Sequence, residues 1–223
     1  MIQIKELNLR INKRDLLCNI NAEFENGKIH GLVGRNGSGK TILMKCICGF
    51  MRPSSGQIIV DGKILGKDLD FLPDVGVIIE NPNFINYMSG YKNLKLLSEY
   101  KKIIDGDKIR ETMRRVGLSD TDRIHVRKYS LGMRQRLAIA QAIMEDPEYL
   151  VLDEPFNGLD ESGVSEIRKL LLQLKSEGKN IILASHNRDD INLLCDDILH
   201  IDHGKIIGNQ INPDEQENSD NIQ

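Results

Sequence analysis

At 223 residues, the chain is long enough for one medium-sized domain or one domain with an inserted lobe. Its 40% apolar and 28% charged residues exclude a disordered chain, and a net charge of −3 supplies no global basic field to hold nucleic acid. The uninterrupted apolar runs fall far short of the roughly 18 residues that span a bilayer. The opening MIQIKELNLR also lacks the basic-then-apolar layout of a secretory signal, so the chain is expected in the cytoplasm, held at a membrane only through a partner.

Ile2, Ile4 and Leu7 alternate with polar residues, as in a half-buried strand. Residues 28–34 (KIHGLVG) read as a buried strand running into a glycine-rich loop. Residues 41–48 then favour a helix, with Gly49 as its stop and PSSG as a turn. Residues 57–60 and 63–65, joined by Asp61-Gly62, predict a hairpin. Residues 75–79 form another short apolar strand. From Asn81 to about Lys128 the spacing becomes helical, at 93–102 and 109–116, and residues 137–144 continue a helix until Pro147. Strand-like runs return at 149–152 and 181–185, with a helix at 164–174 between them. This alternation predicts a mostly parallel sheet with helices upon it and a helical insert. From Asn209 to Gln223 a polar, acidic, solvated tail is expected. Cys18, Cys46, Cys48 and Cys195 make no disulfide framework in a chain of this length and are read as reduced thiols.

Residues 34–41 read GRNGSGKT and fit the phosphate-loop pattern GxxxxGK[ST], after an apolar strand and before a helix. Gly34, Arg35, Asn36, Gly37, Ser38 and Gly39 would curl their backbone N–H groups around phosphate oxygens, with the positive end of the next helix aimed at the same charge. Lys40 would neutralise the outer phosphates and the Thr41 hydroxyl would ligate Mg²⁺. An ordinary glycine-rich turn could match the pattern, but the strand–loop–helix context favours nucleotide. Residues 149–154 (YLVLDE) are an apolar strand ending in two acids, where a parallel sheet gathers its ligands. Strand alternation would give the two separate jobs: Asp153 holding the Mg²⁺ shell, Glu154 polarising the attacking water. Without the loop upstream, Asp-Glu-Pro would be an everyday turn.

Residues 129–136 (YSLGMRQR) resemble the signature motif of the ABC ATPases, usually written LSGGQ. Asn157–Asp160 (NGLD) is similar to that family's D-loop, and His186 in ASHN to its switch histidine. The resemblance covers all but the tail. It implies an α/β fold with a RecA-like P-loop NTPase core and an antiparallel β-subdomain (about 1–80 and 138–208), plus a helical subdomain at about 81–137. It further implies ATP and Mg²⁺ as ligands and a head-to-tail dimer, homomeric or heteromeric. Ser130 and Gly132 of one subunit would then meet the γ-phosphate held by the other, His186 would act in cis, and Asp160 would line the shared site. Four positions depart from the pattern: Leu131 and Met133 within the signature, Ile11 where an aromatic often stacks on adenine, and Glu80 where a glutamine often reaches the metal. Glu80-Asn81-Pro82 with an SLG-type signature resembles bacterial exporters of the antimicrobial-peptide resistance and immunity type.

The resemblance therefore implies an ATPase subunit that drives a membrane transporter, with a second ATPase subunit and a separate transmembrane permease at the inner face of the membrane as its partners. Phe84, Tyr87 and Tyr91 are candidates for the permease contact, with packing inside the helical subdomain as the alternative. A non-transport ABC ATPase acting on DNA or ribosomes is the competing class. Its usual coiled coils, second phosphate loop and basic extensions are not seen in this sequence, and the basic cluster at 123–128 reads as a solvated edge.

Overall fold

The structure, a computed structural model, describes residues 1–80, 83–118 and 124–211. Strands β1 (Ile2–Ile11) and β2 (Arg14–Phe24) form an antiparallel hairpin, and β3 (Ile29–Val33) leads into helix α1 (Lys40–Ile47). β4 (Ser55–Val60) and β5 (Lys63–Ile64) follow, joined by Asp61 and Gly62 at φ 47° and 82°, the positive pair a type I′ turn requires. Next come β6 (Val75–Ile78), α2 (Gly90–Lys101), α3 (Gly106–Arg115) and α4 (Leu131–Ile143). The chain closes through β7 (Tyr149–Asp153), α5 (Glu161–Ser176), β8 (Asn180–Ala184), α6 (Arg188–Leu194), β9 (Asp197–Asp202) and β10 (Lys205–Ile211).

Two sheets result. One is antiparallel, in the order β2-β1-β4-β5; the other runs β10-β9-β3-β8-β7-β6, parallel from β9 to β6 with β10 antiparallel at its edge. The central strands are apolar on both faces because both faces are covered. Alternation assigns Leu150, Leu152, Ile181 and Leu183 to a core shared with α2 to α5, where Leu94, Ile109, Met113 and Leu137 join them. Tyr149, Val151, Ile182 and Ala184 face the opposite core, built with α1 and the antiparallel sheet from residues such as Leu7, Ile20 and Met44.

The expected RecA-like α/β fold with an antiparallel subsheet is what forms. One boundary needs correction. The polar tail expected from Asn209 begins later, because Asn209, Gln210 and Ile211 pair with Leu199, Ile198 and Asp197 and complete β10; backbone pairing outweighs their weak strand preference. The rest of that tail, like Asn81, Pro82 and Arg123, lies outside the described residues. Cys46 and Cys48 are buried and free, and burial pushes their thiols up to about 11 and about 12, so both stay protonated at neutral pH.

Candidate functional site

The carboxyl ends of β3, β6 and β7 open on one cleft of about 450 Å³, lined by residues 36–42, Lys45, Glu80, Asp153 and Glu154. The loop between β3 and α1 is built against the β9–β10 turn. A Cβ at Gly34 would lie 2.1 Å from the Ile201 carbonyl oxygen, so no side chain fits there, and the Gly204 N–H donates to the Ser38 carbonyl at 2.8 Å. Lys40 is only 6% exposed, its ammonium donating to the Gly34 and Arg35 carbonyls at 2.7 and 3.3 Å. The Ser38 hydroxyl is buried without a hydrogen-bond partner in a segment whose backbone N–H groups crowd a helix start. An orphaned donor, a buried cation and a helix N-terminus around one concavity suit a phosphate chain.

Thr41 Oγ1 donates to Asp153 Oδ2 at 2.5 Å, joining the start of α1 to the end of β7. These are hard oxygen donors, and among the described residues no three His, Cys, Asp or Glu side chains form a metal cage. Two protein oxygens beside a phosphate cradle fit Mg²⁺, which keeps waters and substrate phosphates in its shell. Glu154 departs from the alternation read from the sequence. β7 ends at Asp153, and Glu154 takes a left-handed φ of 51° with its N–H on the Ala184 carbonyl at 2.9 Å. That turn brings Glu154 Oε2 to 2.7 Å from His186 Nδ1 at the end of β8. Glu80, also left-handed at φ 62°, lines the same cleft, but its carboxylate accepts from Lys45 Nζ at 2.5 Å.

The signature segment lies elsewhere on the surface. Ser130 caps α4, its hydroxyl accepting the Met133 N–H at 3.1 Å, so the positive end of a 13-residue helix is presented there. Leu131 is 64% exposed and lies on Gly158, where a Cβ would come 2.4 Å from Leu131 Cγ; Met133 turns inward onto the core. Asp160 caps α5 by accepting the Gly163 N–H at 3.0 Å. Of the three aromatics, Phe84 is buried in the core, Tyr91 packs on it beneath Arg110, and Tyr87 alone stands 69% exposed. Ile11 lies at the exposed end of β1.

Sequence reasoning missed Lys45, and it missed Gln135, whose buried amide donates to the Pro155 carbonyl at 2.9 Å and braces the turn after Glu154. Lys45 is one helical turn beyond Thr41, a spacing that marks the cleft face of α1; nothing local marks Gln135.

A phosphate-loop sequence between strand and helix, two acids at the end of β7 and His186 against Glu154, all on such a sheet, fit a P-loop nucleoside triphosphatase. Residues 17–157 match the ABC transporter family. The chain belongs to that family and is one of its ATP-binding, ATP-hydrolysing subunits. It is 45% identical to an uncharacterized ABC transporter ATP-binding protein, YybJ, of Bacillus subtilis, over 92% of this chain and 94% of that protein. The lantibiotic transport ATP-binding protein SrtF of Streptococcus pyogenes is 37% identical over 93% of this chain and 89% of its own length. A dimeric bacterial ABC transporter cassette, MJ0796, superposes with a TM-score of 0.85 over 95% of this chain and 98% of that one, at 22% identity, which bears on the fold alone.

Proposed function

We propose that this chain binds ATP with Mg²⁺ and hydrolyses it within a head-to-tail dimer to power export of a peptide-like antimicrobial through a separate transmembrane permease. The observation that carries the chemistry is the meeting of Glu154 with His186 at 2.7 Å beside the Thr41–Asp153 pair. In this reading the loop backbone and Lys40 hold the β- and γ-phosphates, and Thr41 and Asp153 hold the metal, which supplies charge neutralisation. Glu154 orients the attacking water and accepts its proton, with His186 fixing the carboxylate and touching the γ-phosphate. Ser130 and Gly132 complete the partner's site through the N-terminus of α4, and Asp160 lines the junction.

The family's ATP-binding subunits work with transmembrane subunits, and among the described residues no helix is long and apolar enough to cross a membrane. Residues 81–137 are proposed as the lobe that meets the permease at the inner membrane face, supported by exposed Tyr87, Leu97 and Tyr100. The relationship to a protein named for lantibiotic transport supports the cargo class. The test is phosphate release from ATP by the purified chain. The reading expects turnover that stops when Mg²⁺ is chelated and a membrane-spanning protein that co-purifies in detergent. Metal-independent turnover would overturn the site assignment, and a chain that never accompanies a membrane protein would overturn the transport assignment.

A further inference from the structure

The loop that carries His186 is tied down by a buried charge that lies outside the cleft. Asp190, on the first turn of α6, is 2% exposed. One of its oxygens, Oδ1, accepts from Arg168 Nε at 2.9 Å and Nη2 at 2.5 Å. The other, Oδ2, accepts from the Ser185 hydroxyl at 3.2 Å. Ser185 is itself 2% exposed, sits between the end of β8 and His186, and accepts the Asn187 N–H at 3.2 Å. The residues on both sides of His186 are thus pinned to one hydroxyl, that hydroxyl to one carboxylate, and that carboxylate to the middle of α5.

Two features mark this as more than a fold contact. A buried carboxylate is costly unless paired, and here pairing and hydrogen bonding together use both oxygens. The two oxygens also divide between separate elements: one faces α5, the other the switch loop. An amide offers a single acceptor oxygen and cannot serve both. His186 is mostly exposed and among the described contacts reaches the rest of the site only through Glu154, so its backbone anchor decides where the imidazole stands.

We infer that Arg168, Asp190 and Ser185 are positioning residues that hold the His186 imidazole against Glu154 and thereby set the rate of ATP hydrolysis without contributing to ATP binding. The inference rests on the reading of His186 as a participant in hydrolysis. If it is right, loosening the bridge lowers kcat and leaves the phosphate loop, which is braced by Gly204 and Lys40, untouched.

The experiment is a mutant cycle on the full chain. Ser185→Ala removes the link to the loop while sparing the Arg168–Asp190 pair, and Asp190→Asn is the second variant. Misplacing a reacting group costs on the order of tenfold to a hundredfold, so Ser185→Ala is expected to lower kcat by about tenfold with ATP affinity changed by less than about twofold. In a His186→Ala background the same change is expected to alter kcat by less than about twofold, because the group being positioned is already gone. A Ser185→Ala or Asp190→Asn protein hydrolysing at the wild-type rate overturns the inference, and so does an effect that multiplies fully with that of His186→Ala. If His186→Ala alone hydrolyses like the wild type, the reading of His186 fails and the inference falls with it, an outcome distinct from failure of the bridge alone.

Discussion

The phosphate loop and the signature segment lie at opposite ends of a scale of completeness. The loop is finished within the chain: Lys40 is buried on two carbonyls, Thr41 is joined to Asp153, and Gly34 is clamped beneath Ile201. The signature is a capped helix end with Leu131 standing mostly in solvent. In the proposed function this difference separates binding from hydrolysis: one chain would carry what holds ATP, and the helix end that completes the transition-state site would come from a second subunit.

Glu154→Gln gives the largest expected effect. It keeps the shape of the side chain and removes the proposed proton acceptor, so hydrolysis is expected to fall by roughly a hundredfold to ten-thousandfold while ATP binding persists. Light scattering with ATP and Mg²⁺ is expected to show the variant accumulating as a dimer; a variant that stays monomeric and fully active would break the comparison at its hydrolytic end. Lys40→Ala strikes the other end. Losing a charge-assisted contact to phosphate should weaken ATP binding by about tenfold to a hundredfold, measured by titration with a fluorescent ATP analogue. Unchanged affinity would mean that the loop does not hold the phosphates.

Ser130→Ala sharpens the contrast. It removes the α4 cap, worth about 1 kcal/mol of stability, and weakens the positive helix end at the proposed junction. ATP affinity of the single chain should stay as in the wild type while turnover per dimer drops; equal losses in both would show that the two regions are not separable. The smallest effect belongs to Glu80→Gln. Glu80 is 65% exposed in its pair with Lys45, and surface pairs contribute about 0–1 kcal/mol, so stability and basal hydrolysis should change no more than a few-fold. A collapse of hydrolysis in that variant would move Glu80 into the catalytic centre.

The loop and the two acids were legible because their chemistry is local. GRNGSGKT and LDE each carry strand, turn and ligand within a few consecutive residues. The central parallel strands β3, β7 and β8 were equally plain, being apolar on both faces. β2 was hidden by its polar positions and the β9–β10 hairpin by its weak pattern; each is held by backbone pairing with the adjacent strand of its hairpin, which the alternation of side chains does not report. The backbone turn at Glu154 escaped detection because a left-handed glutamate has no sequence mark and is imposed by the bond to Ala184. Lys45 on Glu80, Gln135 on Pro155 and Arg168 on Asp190 join residues 20 to 35 positions apart, so spacing along one helix or strand could not pair them. The aromatic cluster divides between its two readings: Phe84 and Tyr91 serve the lobe's own packing, and Tyr87 stands exposed.

The separation of the two regions is tested most directly by the concentration dependence of hydrolysis. Phosphate release is measured at saturating ATP and Mg²⁺ across a dilution series, with ATP occupancy and dimer fraction followed in the same samples. The proposed head-to-tail dimer predicts that occupancy per chain stays constant on dilution while the rate per chain falls in step with the dimer fraction. A rate per chain that stays constant down to concentrations at which light scattering finds only monomers would contradict it.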